Sequence, residues 1–382
     1  MAGLYFHIPY CHQRCVYCDF YFVTTQKSHA GFIASLRREI EHYAHTYAAR
    51  EPVETIYFGG GTPSQLLLDE WYDILSAVHD HFDTGAVTEV TAEINPGEVD
   101  LDYLRELRRL GVNRLSIGVQ SFFADDLKAM NRSHSAEEAE AVLDLARAAG
   151  FDNFSIDLIF GFPDQPFEYW GANLEKAKRL EVPHISTYSL SIEPGTPLDK
   201  LVRRGLITPT PDEQVETLYR FTMDYLRERG YEHYEISSFA RPGMRSQHNH
   251  AYWFHTNYIG FGPSAHSFWW TGLPASRWNN IPNLNRYEAL MKQGVAPLED
   301  RESMSIDQLA NEAIMLRLRT ADGIDLKELH DRYGADLLHE QGDTVDHLTE
   351  DGLIVVSDHH LALTDEGKLL ANPITERLLL DD

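Results

Sequence analysis

The stretch "YCHQRCVYCDFYF", residues 10–22, contains all three cysteines of the 382-residue chain. Cys11, Cys15 and Cys18 follow the spacing CxxxCxxC. Three cysteines cannot all pair in disulfides within one chain, and so compact a triplet seldom arises for packing alone. The spacing therefore predicts that one short loop wraps three thiolates around a metal centre.

Two kinds of metal centre fit three neighbouring thiolates. A structural zinc ion takes four protein ligands, so zinc would need His7, His12 or Asp19 to complete its coordination. An iron–sulfur cluster held by three cysteines would instead leave one iron without a protein ligand. The spacing favours the cluster, and zinc stays open as the alternative. A second cluster held only by cysteines is excluded, because the chain has no further cysteine.

Outward from this loop, the chain alternates short β-branched or aromatic runs with amphipathic segments as far as about residue 240. This alternation is typical of repeated βα units around a parallel sheet. We predict an α/β fold, a partial (β/α)6 barrel, with strands at residues 4–9, 55–60, 88–94, 114–120, 154–161 and 185–192. A further helix is predicted at 211–230, followed by a segment with strand character at 231–243.

The remaining chain divides into two segments by composition. Residues 241–282 are interpreted as a binding segment. Within them, residues 246–280 are rich in His, Trp, Tyr and Gly and read poorly as regular structure. Residues 283–382 show helical patterns and then two short strands followed by a helix, which resembles a winged-helix-like module. Residues 1–240 form the predicted barrel domain.

Composition excludes some partners. The chain carries 59 acidic against 33 basic residues, a formal charge of −26, which argues against binding to nucleic acid. No apolar run reaches the roughly 20 residues that span a bilayer, and the N-terminal sequence lacks the features of a signal peptide. We therefore expect a cytoplasmic protein that is not an integral membrane protein.

Further motifs lie at the ends of the predicted strands. "YFGGGTPS", residues 57–64, ends the second strand with three glycines, which either form a tight turn or let the backbone approach a ligand closely. Glu93, Gln120, Arg132 and Asp157 lie at or beyond the ends of later strands. Polar side chains at these ends of a barrel face the ligand mouth, which predicts a common binding site.

With these motifs in this order, the chain resembles the radical S-adenosylmethionine (SAM) superfamily across nearly its whole length. The resemblance implies a radical SAM TIM-like partial barrel and a [4Fe-4S] cluster on Cys11, Cys15 and Cys18, with SAM bound to the open iron. It also implies the SAM-binding residues: Gly60, Gly61 and Thr62 for the methionine amino group, Glu93 and Asp157 for the ribose hydroxyls, Arg132 for the carboxylate, and Tyr5, Tyr17, Gln120, Ser191 and His266 around them.

Within the superfamily, the resemblance narrows to the coproporphyrinogen oxidase-like, HemN-related branch. Oxygen-independent coproporphyrinogen III oxidases carry a fourth cysteine where this chain has Phe20, and they have a longer N-terminal extension. Both departures favour the HemW-type heme chaperones. "HNHAYW", residues 248–253, fits the HNxxYW pattern of that group. The implied heme-binding residues are His248, Asn249, His250, Tyr252 and Trp253, with His248 favoured as the iron ligand and His250 as the alternative.

The resemblance therefore implies a heme chaperone that binds heme, the cluster and SAM. Its partners would be an acceptor hemoprotein, a membrane-associated one included, and a reductant such as flavodoxin or ferredoxin. The scaffold could cleave SAM in principle, but the missing fourth cysteine argues against coproporphyrinogen dehydrogenase activity, and no catalytic residue is assigned. The alternatives are that oxidase, a radical SAM methyltransferase or other tailoring enzyme, and a DNA-associated winged module, which the charge disfavours.

Overall fold

A computed structural model describes residues 2–24, 29–48 and 51–380 of the chain. The main sheet of this described part has twelve strands. Among the described residues, no helix is both long and apolar enough to cross a bilayer.

Six consecutive parallel strands form the centre of this sheet, which confirms the predicted α/β partial barrel. They are β1 (Ala2–Ile8), β2 (Val53–Gly60), β3 (Glu89–Ile94), β4 (Arg114–Gln120), β5 (Phe154–Phe160) and β6 (His184–Ser189). Each predicted strand overlaps an observed one because buried parallel strands are dense in apolar residues. Polar residues that alternate with them, such as Glu93 and Asp157, face the barrel interior.

Helices cover the outer face of these strands. They are α1 (Ala30–Tyr43), α2 (Leu68–His81), α3 (Leu101–Arg109), α4 (Ala124–Ala129), α5 (Ala136–Ala148), α6 (Phe167–Arg179), α7 (Pro197–Arg203) and α8 (Asp212–Glu228). A π-helical turn (Ala44–Ala48) extends α1, and a 3-10 turn (Pro63–Gln65) follows β2. Phe6, Phe58 and Trp71 show how the two layers pack: Phe58 lies 4.8 Å from Phe6 and 4.4 Å from Trp71 of α2, measured between ring centroids.

The expectation of irregular structure between residues 246 and 280 is wrong. This segment forms α9 (Gln247–Tyr252), β9 (Asn257–Phe261), β10 (His266–Trp269) and β11 (Ala275–Asn280). Strand β9 pairs in parallel with β1, so the segment continues the barrel sheet, and β12 (Leu298–Met304) adds one more strand. The strands are short and interrupted by glycine and proline, which hides their period in the sequence.

The other edge of the sheet differs from the prediction in detail. The predicted strand segment 231–243 splits into β7 (Glu232–Glu235) and β8 (Ser238–Ala240), a hairpin that pairs with β6 in the antiparallel sense. The main sheet runs across the proposed boundaries at residues 240 and 282. The division of the chain into three segments therefore stays a prediction.

The C-terminal region builds a second core. Helix α10 (Leu284–Lys292) precedes this second core and packs with the barrel core beside α1. The helices that follow it are α11 (Ile306–Arg317), α12 (Leu326–Tyr333), α13 (Leu337–Glu340), α14 (Gly342–Glu350), α15 (Asp365–Leu369) and α16 (Ala371–Leu378). A small sheet joins β13 (Ile324–Asp325), β14 (Ile354–Ser357) and β15 (His360–Leu363) in the order β13-β15-β14. The predicted pair of strands followed by a helix is present as β14, β15 and α15. Phe268 of the main sheet belongs to this second core, which holds the region against the barrel.

Candidate functional site

A cavity of about 440 Å³ lies at the carboxyl ends of the parallel strands. Polar residues from successive strand ends line it, as expected for a barrel whose ligand site is built from the segments that follow each strand. The lining residues that the sequence analysis proposed as cofactor ligands are Cys11, Cys15, Tyr17, Cys18, Gly60, Gly61, Thr62, Glu93, Gln120, Arg132, Asp157 and Ser191. The structure thus brings together residues from seven separate segments of the chain.

The loop that carries the three cysteines is closed at its base. Cys11 N donates to Val23 O at 3.0 Å, and Val23 N donates to Pro9 O at 2.6 Å, so the two ends of the loop run side by side. At its middle, Val16 N donates to Met130 O at 3.2 Å. These backbone contacts fix the path of the loop without using any cysteine side chain.

Side-chain contacts hold the same loop against the segment after α4. Gln13 Nε2 donates to Asn131 O at 2.8 Å, and Asn131 Nδ2 donates to Arg14 O at 2.7 Å. Asn131 has a left-handed backbone conformation (φ 55°), which asparagine adopts more readily than most residues. The loop therefore keeps its shape through contacts to the barrel, which leaves the thiols available.

The three thiols fit a cluster better than a single ion. All three are partly exposed and line the same cavity. Among the described residues, no three His, Cys, Asp or Glu side chains converge as the ligands of one metal ion would. A four-iron cluster binds each thiolate to a different iron, so it needs no such convergence.

The other candidates for zinc ligation differ in their surroundings. His7 is buried, and its Nε2 is engaged with Tyr21 O at 2.8 Å. His12 and Asp19 line the cavity but are exposed. Burial raises the pKa of Cys11 to about 12 and that of Cys18 to about 11. A metal centre would therefore displace protons from these thiols when it binds.

Arg132 connects the cysteine loop to the strand ends. Its Nη1 donates to Cys15 Sγ at 3.4 Å, and its Nη2 donates to Asn95 Oδ1 at 2.6 Å and to Gly118 O at 2.8 Å. The Nε atom is buried and has no hydrogen-bond partner among the described residues. Leaving a buried donor without a hydrogen-bond partner costs free energy, so the guanidinium is suited to bind an anionic ligand.

Asn95 continues this network and was missed by the sequence analysis. Its Nδ2 donates to Thr62 Oγ1 at 3.1 Å, and Thr62 Oγ1 donates to Cys11 Sγ at 3.5 Å. Thr62 and Arg132 therefore each contact one cysteine and meet at the same asparagine. The signal for Asn95 was present, since it lies two residues after Glu93 at the end of the same strand.

The glycine run has no room for side chains. Gly60 has φ +103°, and a Cβ there would lie 2.7 Å from the ring of His7. A Cβ on Gly61 would lie 2.7 Å from Ile8 O. The backbone of the run thus packs directly against the end of β1 while it lines the cavity, and its approach to a ligand stays a prediction.

Two carboxylates lie on the inner wall of the cavity. Burial raises the pKa of Glu93 to about 7 and that of Asp157 to about 6. Tyr57 OH donates to Glu93 Oε1 at 2.8 Å, which counteracts part of the shift at Glu93. Both acids are held as hydrogen-bonding groups that have lost much of their hydration.

The remaining SAM candidates lie elsewhere. Tyr5 packs beneath the cavity, with its ring 6.1 Å from that of Tyr57, and His266 is exposed at the start of β10. Neither is among the described residues that line the cavity. Conversely, Ser116, Gly118 and Tyr188 line it and were not proposed. The alternation along β4 and β6 could have identified them, because they share a face with residues that were proposed or with the barrel interior.

The "HNHAYW" segment lies at the opposite end of the barrel. Residues 248–252 lie in α9, and Trp253 follows it. The first turn of α9 contacts the beginning of β3. There Glu89 Oε2 accepts a hydrogen bond from Gln247 N and Glu89 Oε1 accepts one from His248 N, each at 3.0 Å. His248 is buried, and both ring nitrogens are engaged, Nδ1 with Thr55 Oγ1 and Nε2 with Tyr252 OH, each at 2.8 Å. This arrangement does not present His248 to a ligand.

The other heme candidates are more accessible. Asn249 is exposed, and Tyr252 and Trp253 are partly exposed. The side chain of His250 is 25% exposed, and its Nε2 lies 3.5 Å from Asp322 Oδ2. Its Nδ1 has no hydrogen-bond partner among the described residues. Heme binding by this segment stays a prediction, and its geometry favours His250 over His248 as the ligand.

The chain is similar to known proteins along most of its length. The family model of the radical SAM superfamily matches residues 5–177, and that of the HemN C-terminal domain matches residues 304–370. The chain is 33% identical to the heme chaperone HemW of Bacillus subtilis (strain 168), over 98% of each chain. It is 32% identical to the heme chaperone HemW of Escherichia coli (strain K12), over 99% of this chain and 98% of that one.

One solved structure resembles the whole molecule. Coproporphyrinogen III oxidase (HemN) from Escherichia coli, described as a radical SAM enzyme, matches with a TM-score of 0.84 and 25% sequence identity. The match covers 99% of this chain and 90% of that one. Both the barrel and the C-terminal region therefore share its architecture.

Proposed function

Because this chain belongs to the radical SAM superfamily and, within it, to the HemW family, we propose that it is a heme chaperone that holds a [4Fe-4S] cluster and SAM in the cavity described above. The observation that carries the proposal is the convergence of three thiols, a buried arginine with an unpartnered donor and two desolvated carboxylates on one cavity.

Different residues of the cavity would bind the cluster and the separate parts of SAM. Cys11, Cys15 and Cys18 would hold the cluster, and a bound cluster would supply an electron to SAM if SAM is cleaved. Arg132 would donate to the carboxylate of SAM through its free Nε–H, since charge-assisted hydrogen bonds are the stronger ones. The guanidinium stays oriented meanwhile by its contacts with Asn95 and Gly118.

The other wall of the cavity would bind the rest of SAM. The backbone at Gly60, Gly61 and Thr62 would face the methionine amino group, because no side chain intervenes there. Glu93 and Asp157 would accept hydrogen bonds from the ribose hydroxyls. Tyr17, Gln120 and Ser191 would close the remaining surface and exclude water from the sulfonium end.

Heme would bind at the other end of the barrel through the "HNHAYW" segment. His250 is the proposed iron ligand, since imidazole suits iron and this ring can reach a ligand without losing two hydrogen bonds. Trp253 and Tyr252 would cover part of the porphyrin with their apolar faces, and Asn249 would lie at its exposed edge. A partly exposed site suits a protein that must release heme to an acceptor hemoprotein.

The test is a heme titration of anaerobically reconstituted, cluster-containing protein, followed by transfer to an apo-acceptor with and without SAM. We expect saturable heme binding and loss of heme to the acceptor. His250→Ala should weaken heme binding or shift the Soret band, and unchanged spectra and affinity would remove His250 as a ligand. Failure of the wild-type protein to bind heme would contradict the chaperone proposal.

The second candidate function is oxygen-independent coproporphyrinogen III oxidation, favoured by the similarity to HemN along the whole chain. Phe20 argues against it, because this residue lines the cavity at the position where the oxidases carry a fourth cysteine, and its exposed side chain supplies no thiol there. An anaerobic assay with SAM, a reductant such as flavodoxin or ferredoxin, and coproporphyrinogen III separates the two functions. Formation of protoporphyrinogen would establish the oxidase instead.

A further inference from the structure

We propose that His248 is a positioning residue for the SAM cavity. Its imidazole fixes the ring of Tyr57, and Tyr57 in turn holds the carboxyl group of Glu93. This inference rests on the proposed function, because it takes Glu93 as a ligand of SAM. The first histidine of the "HNHAYW" segment would thus act on the SAM cavity, at the opposite end of the barrel from the proposed heme site.

The imidazole of His248 is locked in place. Its side chain is inside the barrel, with 1% of the residue exposed, and two hydrogen bonds of 2.8 Å tie its nitrogens to Thr55 and Tyr252. A Cβ on Gly3 would lie 3.1 Å from His248 Cε1, so β1 approaches the ring closely as well. The ring therefore has a single orientation, set by three different segments.

That orientation places the imidazole against Tyr57. The two rings are stacked, with centroids 5.1 Å apart and planes 25° from parallel. Tyr5 stacks on Tyr57 as well, at 6.1 Å and 26°. Tyr57 is thus restrained by aromatic neighbours from α9 and from β1, and its hydroxyl is directed along the barrel interior toward the cavity.

The hydroxyl of Tyr57 then determines the position of Glu93. It donates to Glu93 Oε1 at 2.8 Å. A Cβ on Gly59 would lie 2.9 Å from the same oxygen, so the carboxyl group is seated directly on the backbone of β2. Glu93 lines the cavity, whereas His248 does not, and Tyr57 spans the distance between them.

A second connection joins α9 to the strand that carries Glu93. Glu89 is buried at the beginning of β3, where its carboxylate accepts from the backbone of the first turn of α9. Arg114 lies beside it, with Nε 4.0 Å from Glu89 Oε2. Glu89 and Glu93 are four residues apart on one strand and face the same side. The helix is therefore fixed to β3 independently of the aromatic stack.

The experiment measures SAM affinity by calorimetry on anaerobically reconstituted, cluster-containing protein. Tyr57→Phe removes the hydrogen bond to Glu93, and His248→Ala removes the ring that orients Tyr57. Each change should weaken SAM binding about tenfold, the effect of losing one hydrogen bond to an ionisable group. Since both changes act through the same hydroxyl, the double variant should bind little worse than either single variant.

The matched control is His184→Ala. His184 is equally buried, at 2%, and lies on β6, where its Nε2 contacts Tyr234 OH at 2.7 Å. A general loss of stability from removing a buried histidine should appear in both alanine variants, whereas the loss of SAM affinity should appear only in His248→Ala. His248→Phe keeps a ring against Tyr57 and should recover most of the affinity.

The outcomes separate this inference from the proposed function. If the wild-type protein does not bind SAM, the proposed function fails and the inference fails with it. If the wild-type protein binds SAM but Tyr57→Phe and His248→Ala bind equally well, the inference alone fails. Equal losses in His184→Ala and His248→Ala, or loss of heme binding with unchanged SAM affinity in His248→Ala, would also overturn it. If His248→Ala does not fold, Tyr57→Phe and His248→Phe still decide the question.

Discussion

Replacing Arg132 with methionine tests the cavity at its most connected residue. The change removes three hydrogen bonds, to Cys15, Asn95 and Gly118, together with the buried Nε–H that has no partner among the described residues and is the proposed donor to the SAM carboxylate. One hydrogen bond between charged partners contributes about 1.5–3 kcal/mol, so SAM binding should weaken by about 10- to 100-fold. Asn95 Oδ1 and Gly118 O would also lose their hydrogen-bond donor, which should lower the free energy of unfolding by about 1–3 kcal/mol.

The assay compares SAM affinity, iron and sulfide content, and thermal stability in one preparation of anaerobically reconstituted protein. Iron should be retained, because Arg132 contacts the cysteine loop while the thiolates themselves would bind the cluster. Arg14→Met is the matched control, since it removes an exposed positive charge from the same loop but not from the cavity. An unchanged SAM affinity would refute the proposed carboxylate contact, and a loss of iron would assign Arg132 a structural role.

Three further predictions concern the cluster, the glycine run and the buried acid. Replacing Cys11, Cys15 or Cys18 with alanine should abolish the visible absorbance of the cluster, and persistence of that absorbance in any one variant would exclude the replaced thiolate as a ligand. Gly61→Ala would place a Cβ 2.7 Å from a backbone oxygen of β1, so SAM affinity and melting temperature should both fall, and wild-type values would show that the backbone can yield. Burial raises the pKa of Glu93 to about 7, so the folded protein keeps a proton there that the unfolded chain has lost. This contribution to stability is complete below the ordinary glutamate pKa of 4.5 and is lost as the pH rises through about 7. The melting temperature of cofactor-free protein should therefore fall more between pH 5 and pH 8 than that of Glu93→Gln, by roughly 2 °C, and parallel curves would contradict the shift.

The parallel barrel was predictable because its information is local. Each of the six strands is an apolar run followed by a turn and an amphipathic helix, and the site residues occur where those runs end. Glu93 and Asp157 could therefore be assigned to one cavity before their distances were known. Asn95 was not identified as a site residue, because its role depends on hydrogen bonds with Thr62 and Arg132, which lie in other βα units.

The region after residue 240 depends instead on distant partners. Helix α9 has only six residues, too few for a reliable helical period, and it is stabilised by Glu89, which is more than 150 positions earlier in the chain. Strand β9 obtains its hydrogen bonds from β1 at the other end of the sequence. The burial of His248 follows from contacts with Thr55 and Tyr57, which the HNxxYW pattern behind its interpretation as a heme ligand does not reveal.

The pairing of β1 with β9 has a consequence for synthesis of the protein on the ribosome. Strand β1 is made well before β9, its neighbour that begins only at Asn257. At translation rates of roughly 5–20 residues per second, the nascent chain exposes that strand edge for about 10–50 s. An apolar strand edge that stays unpaired for so long can pair with another chain. The cellular yield of the protein should therefore depend on chaperones that bind the growing polypeptide.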